Sequence, residues 1–102
     1  RTGTGSSVNA RVSRASFRLL RGAEHVHAFQ PAGGIPKHFC NVCGSALFSG
    51  EPFSDAEFAV RLGTLDRDPG VALEYRQFVN SAAAWEAIPD DGLRRYPRSR
   101  GA

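Results

Sequence analysis

The sequence predicts a mainly β fold that is built from several short strands. The chain has 102 residues, which is the size of one small domain. Apolar and polar residues alternate over several short runs, as they do in strands with one buried face. Clusters of glycine, proline and aspartate separate these runs about every 8–12 residues, and that spacing indicates an all-β sandwich or an open barrel.

The first part of the chain predicts a strand, a turn and a second strand. Val8–Val12 alternates apolar with polar residues and predicts a strand. Ser13–Ser16 predicts one helical turn, with Ser13 as its N-cap. Phe17–Leu20 is a short apolar run that predicts another strand, and a single helix over Ser13–Arg21 is the alternative.

The remaining elements follow from the same kind of pattern. Five further runs predict strands: Glu24–Phe29, Ala46–Phe48, Phe58–Leu62, Leu73–Val79 and Leu93–Pro97. Turn-forming residues predict the loops between them: Pro31–Gly34, Glu51–Asp55, Gly63–Gly70 and Asp90–Gly92. Ser81–Ile88 is rich in alanine and predicts one or two turns of helix.

Composition excludes several classes of protein. Hydrophobic residues make up 41% of the chain and charged residues 23%, which argues against global disorder. No apolar run approaches the roughly 18 residues of a membrane span, and no secretory leader is visible. We therefore expect a protein of the reducing cytoplasm with no membrane partner. The chain contains no methionine and starts with Arg1, so we also expect it to be processed or part of a longer protein.

Charge is distributed unevenly along the chain. Residues 1–39 carry +5, residues 40–93 carry −6, and a basic tail over 94–102 carries +4, which gives the net charge of +3. Unbroken runs of five like charges do not occur, and aromatic residues are not interleaved with basic ones as in single-strand binders. We therefore do not expect a nucleic-acid partner, and solvated basic residues are the simpler interpretation.

The sharpest local motif is the pair of cysteines Cys40 and Cys43, spaced C-x-x-C and followed by Gly44. This spacing lets both sulfurs face one ion, and a glycine after the second cysteine relieves crowding in the turn. We predict that Cys40 and Cys43 bind zinc. A disulfide or two unligated thiols is the alternative. A redox site is disfavoured, because a β-prone run follows the motif where a thioredoxin-like site needs a helix.

Zinc requires four ligands, so the two cysteines supply half of a site. The others must come from histidines, another chain or sequence that is absent here. His38 is adjacent, but a histidine at this position usually points away from the ion. His25 and His27 are more simply explained as an exposed strand face. Two copies could share one ion across a two-fold axis, which makes a homodimer with half a zinc per chain a further possibility.

Three other residues are weaker candidates for a functional role. Asp66 and Asp68 lie in a loop, where aspartates more often form turns than act as an acid and a base. Trp85 is the only tryptophan, and we predict that it anchors the core or its rim.

Several motifs in this order resemble the glutathione-dependent formaldehyde-activating enzyme / centromere protein V family. The motifs are Thr2-Gly3-Thr4-Gly5, Phe17 to Gly22 (FRLLRG), His38 to Ser45 (HFCNVCGS), Leu47-Phe48, Gly63-Thr64-Leu65-Asp66, Ser81 to Trp85, and Asp91-Gly92-Leu93. The HFCxxCGS and GTLD elements together are fairly specific, and the spacing is retained across nearly the whole chain. Family members often have a histidine in place of Arg76 and a proline in place of Ala84, so this chain departs from the family in that region.

The resemblance implies a small zinc-stabilised domain of short antiparallel strands (Mss4-like). Cys40 and Cys43 would form half of a structural zinc site, whose other half is a C-x-C pair nearer the N-terminus. A catalytic zinc would be held by a C-x-C-x-x-C cluster just before Arg1. Residues 1–102 would then be the C-terminal portion of one family domain, without the N-terminal cysteine segment, and no catalytic residue is assigned within them.

The resemblance also implies an activity and its partner. A carbon–sulfur lyase of this kind joins glutathione, or a related thiol, to formaldehyde and yields S-hydroxymethylglutathione. The alternative is a non-enzymatic, zinc-stabilised binding module whose arginine-rich ends meet an acidic partner, because a fold does not fix a function.

Overall fold

Five strands form one antiparallel sheet in the computed structural model, which describes residues 3–52 and 55–101. The strands are β1 (Asn9–Ser13), β2 (Val26–Phe29), β3 (Lys37–Cys40), β4 (Ala46–Ser49) and β5 (Glu57–Arg61). Their order across the sheet is β1-β5-β4-β3-β2, and every neighbouring pair is antiparallel. The predicted mainly β fold of short antiparallel strands is therefore confirmed.

The sheet belongs to the larger of two compact units, which spans Ser7–Asp66. Its core is a cluster of three aromatic rings that meet edge to face. The ring centroid of Phe17 lies 5.3 Å from that of Phe48 and 4.9 Å from that of Phe58, and the latter two are 5.8 Å apart. Phe58 is 1% exposed. In edge-to-face packing the positive edge of one ring meets the negative face of another, so the cluster is stabilised by this geometry as well as by the burial of apolar surface.

The segment that follows β1 corrects one expectation. A 3-10 turn over Arg14–Ser16 forms as predicted, and the Ser13 hydroxyl caps it by accepting a hydrogen bond from the Ala15 N–H at 3.3 Å. The strand predicted over Phe17–Leu20 is wrong, and so is the alternative single helix over Ser13–Arg21, because the residues after the turn are irregular. Phe17 is half-buried against the rings of Phe48 and Phe58, while Leu20 is 87% exposed, because this segment pairs with no strand in the described part of the chain.

The second unit comprises residues 67–101 with 3–6 and contains a two-stranded pair. Here β6 (Tyr75–Arg76) and β7 (Arg94–Arg95) pair in parallel, so the runs predicted over 73–79 and 93–97 form strands only in part. The helix predicted over Ser81–Ile88 is wrong: a 3-10 turn over Val79–Ser81 precedes turns and irregular backbone. Eight residues are too few for a helix that packing does not support, despite the alanines.

Stacked side chains hold this second unit together. The rings of Tyr75 and Tyr96 meet edge to face at 5.7 Å. The guanidinium carbon of Arg100 lies 4.7 Å from the Tyr75 ring centroid, and that of Arg94 lies 5.2 Å from the Tyr96 centroid. Two arginines of the basic tail are thus packed on aromatic faces.

Trp85 corrects another expectation, because its side chain is 75% exposed and does not anchor a core. Without a helix over Ser81–Ile88 there is no amphipathic face that would bury it.

Three-residue 3-10 turns are the helical segments of the described residues; besides those above they are Ala23–His25 and Leu62–Thr64. None of them has the length or apolar character to cross a membrane. The loop expected over Glu51–Asp55 includes residues 53 and 54, and the glycine-rich motif at the start includes Thr2; these three residues lie outside the described part of the chain.

Candidate metal centre

The turn between β3 and β4 carries both cysteines. The Cys40 N–H donates to the Ser45 carbonyl at 2.9 Å, and the Gly44 N–H donates to the Cys40 carbonyl at 2.7 Å. These two hydrogen bonds close a tight loop that presents Cys40 and Cys43 on the same turn, with no disulfide between them. Gly44 has a φ of +79°, a left-handed conformation that glycine adopts without strain.

Both sulfurs have hydrogen-bonding partners within the turn. The Val42 N–H lies 3.4 Å from the Cys40 sulfur, and the Cys43 sulfur lies 3.2 Å from the Ser45 hydroxyl oxygen. The hydrogen bond with the Ser45 hydroxyl lowers the pKa of the Cys43 thiol, and the Ser45 backbone N–H and the Cys40 thiol act in the same direction. Such bonds favour the thiolate, which is the form that binds metal.

Asn41, between the two cysteines, links this turn to the segment that contains His25 and His27. Its backbone N–H donates to the His25 carbonyl at 2.8 Å. Its side-chain oxygen lies 3.2 Å from His25 Nδ1, and its side-chain nitrogen lies 3.0 Å from His27 Nε2. One amide therefore engages both histidines. No local pattern in the sequence predicts this link, because His25 and Asn41 lie 16 positions apart.

The exposed strand face predicted for His25 and His27 is confirmed for His27, which lies on β2, whereas His25 lies in the preceding 3-10 turn. His25 and His27 are exposed and make their contacts with Asn41 rather than with the sulfurs. His38 is 9% exposed, its ring centroid is 6.3 Å from that of Phe48, and its buried Nδ1 has no hydrogen-bond partner among the residues that the structure describes. His38 thus packs beside the aromatic core of the sheet.

Zinc fits this turn as a two-thiolate half-site. A zinc knuckle supplies two of the four tetrahedral ligands of a zinc ion. The turn has the features of such a knuckle: two thiols without a disulfide, an N–H donor at sulfur and a left-handed glycine. Over residues 3–52 and 55–101, histidine, cysteine and acidic side chains do not form a group of three or more that could hold a metal ion. To hold zinc, the two cysteines would need two further ligands from outside this described part.

The two aspartates of the loop after β5, Asp66 and Asp68, were considered above as turn formers or as an acid and a base. The Asp68 carboxylate accepts a hydrogen bond from the Gly70 N–H at 2.8 Å, as a turn-forming aspartate does. Asp66 is exposed.

Comparison with known proteins identifies the family. Neither a curated protein nor a solved structure shows a significant match to the chain. The family model described as glutathione-dependent formaldehyde-activating enzyme matches residues 1–81, which is most of the chain and includes the cysteine turn. The chain therefore belongs to the glutathione-dependent formaldehyde-activating enzyme family.

Proposed function

We propose that this protein is a zinc-dependent carbon–sulfur lyase that combines glutathione, or a closely related thiol, with formaldehyde. The observation that carries the proposal is the family match over residues 1–81. The geometry of the cysteine turn adds support, because its N–H···S contacts and unbridged thiols are those of a zinc knuckle.

The proposed reaction forms one carbon–sulfur bond. The glutathione sulfur attacks the carbonyl carbon of formaldehyde, the carbonyl π electrons move to oxygen, and the thiol proton ends on that oxygen. The product is S-hydroxymethylglutathione, and the reverse reaction releases both substrates. Zinc, when bound next to the substrate, favours the thiolate form of the attacking sulfur.

Within this scheme Cys40 and Cys43 have a structural role. They would hold one zinc ion with two ligands from outside the described residues and so fix the β3–β4 turn. No side chain of this chain is assigned as nucleophile, since the substrate provides it. A reducing, cytoplasmic location is part of the proposal, because the turn binds metal only with both thiols reduced.

Formation of the product can be followed by NMR with ¹³C-labelled formaldehyde and glutathione. Magnetisation exchange between free formaldehyde and S-hydroxymethylglutathione should be faster with the purified protein than in buffer alone. Replacing glutathione with S-methylglutathione, which lacks a free thiol, should remove the effect. If metal-replete protein leaves the exchange rate unchanged, the lyase proposal is wrong and the zinc-stabilised binding module becomes the better description.

A further inference from the structure

Asn41 provides the hydrogen bonds that join the cysteine turn, residues 40–45, to another segment of the same unit. Its backbone N–H and both ends of its side-chain amide contact the segment that contains His25 and His27. Among the described residues, every other hydrogen bond of residues 41–45 stays within the turn itself. The hydrogen bonds that fix the turn against β2 and the residue before it are therefore those of Asn41.

The Asn41 amide assigns a different hydrogen-bonding role to each imidazole. Its Oδ1 faces His25 Nδ1 at 3.2 Å, and its Nδ2 faces His27 Nε2 at 3.0 Å. An amide oxygen accepts and an amide N–H donates, so His25 donates from Nδ1, while His27 accepts at Nε2 and carries its hydrogen on Nδ1. The Glu24 carboxylate oxygen, 3.5 Å from His25 Nε2, is a second acceptor for that ring and favours His25 as the donor of the two.

Both histidines have backbone positions that the fold already fixes. His27 lies on β2 directly opposite Phe39, and the centroids of the two rings are 6.2 Å apart. His25 is the last residue of the 3-10 turn Ala23–His25, which leads into the same strand. Asn41 thus bonds to side chains that are themselves attached to the sheet.

This link bears on metal binding because Asn41 lies between the two candidate ligands, Cys40 and Cys43. A zinc ion needs both thiolates in place at the same time, and ordering a loose turn costs conformational entropy when the ion binds. A turn that is already fixed avoids much of that cost. Residues that orient metal ligands without binding the metal typically change its affinity by about 10–100-fold.

We propose that Asn41 is a positioning residue that holds the cysteine turn in the conformation that binds zinc. It acts through His25 and His27, which anchor its amide and are not ligands themselves. The inference rests on the proposed function, since it takes zinc to be the ion that the two thiols bind.

Competition with a chromophoric chelator measures zinc affinity without any catalytic readout. The protein expressed from its full gene is used, and the zinc that Cys43→Ser no longer binds identifies the contribution of this turn. Asn41→Ala should weaken the zinc affinity of the turn about tenfold. Val42→Ala is the matched control and should retain wild-type affinity, because Val42 lies in the same turn with a side chain that is 73% exposed. Equal affinity of Asn41→Ala and wild type, or a wild type that binds no zinc at this turn, would overturn the inference.

A double-mutant cycle shows whether Asn41 acts through the histidines. Replacing His25 and His27 together by alanine should weaken zinc affinity about as much as Asn41→Ala does, and adding Asn41→Ala to that variant should cost little more. Fully additive losses would contradict this mechanism. A loss far larger than that of Asn41→Ala would identify the histidines as ligands and would contradict it too. Thermal unfolding of the zinc-loaded variants shows whether each one folds, and His27→Ala alone gives a milder test if the double variant does not.

Nitrogen-15 NMR of the imidazoles provides a signature that a general loosening of the turn does not predict. At mildly alkaline pH the His27 ring of wild type should carry its hydrogen on Nδ1, because Nε2 accepts from the Asn41 amide. This preference should be lost in Asn41→Ala and retained in Val42→Ala. A wild-type His27 ring that carries its hydrogen on Nε2 would overturn the inference.

The inference and the lyase proposal fail in different ways. If Asn41→Ala weakens zinc affinity but no S-hydroxymethylglutathione forms from glutathione and formaldehyde, the positioning role stands and the lyase function does not. If the product forms while Asn41→Ala binds zinc as tightly as wild type, the lyase function stands and the positioning role does not.

Discussion

The guanidinium of Arg76 donates to a single oxygen of the Asp91 carboxylate, from Nε at 3.2 Å and from Nη2. The other carboxylate oxygen accepts the Leu93 N–H at 3.2 Å. The pair links β6 to the turn that precedes β7. The hydrogen bonds from Arg76 are the main reason why the pKa of Asp91 is lowered, and the Leu93 N–H acts in the same direction.

This ion pair predicts a pH dependence of stability. The pKa of Asp91 is lower in the folded protein than in the unfolded chain, where an aspartate has a pKa of about 4. The unfolded state therefore binds more protons in acid. The stabilisation is complete above the unfolded pKa and is lost as the pH falls through the folded value.

Urea unfolding of wild type and Asp91→Asn, followed by the fluorescence of Trp85 in the same unit, measures this effect. We expect wild type to be the more stable at neutral pH and the difference to shrink below about pH 4. Asp90→Asn is the control, since the exposed Asp90 side chain makes no hydrogen bond or ion pair within residues 55–101. A difference between wild type and Asp91→Asn that is constant from pH 3 to pH 7 would contradict the assignment.

The aromatic cluster predicts a large loss of stability for Phe58→Ala. Phe58 is 1% exposed and packs against two other rings, so truncation leaves a cavity and should cost about 3–5 kcal/mol. Denaturant unfolding measures the change. Leu20→Ala, at a side chain that is 87% exposed, should change the free energy of unfolding by no more than about 0.5 kcal/mol. A loss below about 1 kcal/mol in Phe58→Ala would mean that the three rings do not form the core.

Gly44→Ala tests whether the cysteine turn depends on left-handed backbone. Gly44 has a φ of +79° and nothing within 4 Å of an added Cβ, so any cost comes from the backbone alone. We expect a loss of about 1–2 kcal/mol in the unfolding free energy. Gly63→Ala is the matched control, because an added Cβ there also meets open space and its φ is not positive. Equal stability of the two variants would show that the turn tolerates another conformation.

Removal of one thiol tests the metal site. Cys43→Ser should reduce the zinc content per chain, measured by elemental analysis on protein of known intact mass, because serine is a poor zinc ligand. Chelation should destabilise wild type more than the variant. Cys43 and Cys40 are the two cysteines of this sequence, so Val42→Ala, at an exposed side chain of the same turn, retains both and is the control. Wild-type zinc content in Cys43→Ser would exclude Cys43 as a ligand.

The zinc content also bears on a shared site. Half a zinc per chain, with a dimer that dissociates in Cys43→Ser, would indicate two copies that share one ion. A monomer with one zinc would instead place the remaining ligands in the same polypeptide.

The sequence predicted the structure correctly where a pattern of neighbouring residues decides the conformation. Alternation located β1 and β5, the serine at position 13 predicted the cap of a helical turn, and C-x-x-C-G predicted a tight turn with two thiols. Each of these depends on neighbours within a few residues, so the physical cause is contained in the local sequence.

The wrong predictions concern segments whose fate depends on distant partners. Phe17–Leu20 has the apolar character of a strand, but its burial comes from rings on β4 and β5. Ser81–Ile88 has helical propensity, but a helix this short forms only when packing supports it. Trp85 is exposed for the same reason.

The sequence by itself therefore determined the mainly β class, the position of most strands, the cysteine turn and the family to which the chain belongs. Tertiary structure alone decided which side chains meet across the sheet. Asn41 reaches His25 and His27, and Ser49 receives both Lys37 and Arg61, because strand pairing brings together residues that lie 12 or more positions apart. The register between strands is set by the whole sheet, and no local pattern in the sequence encodes which residues pair across it.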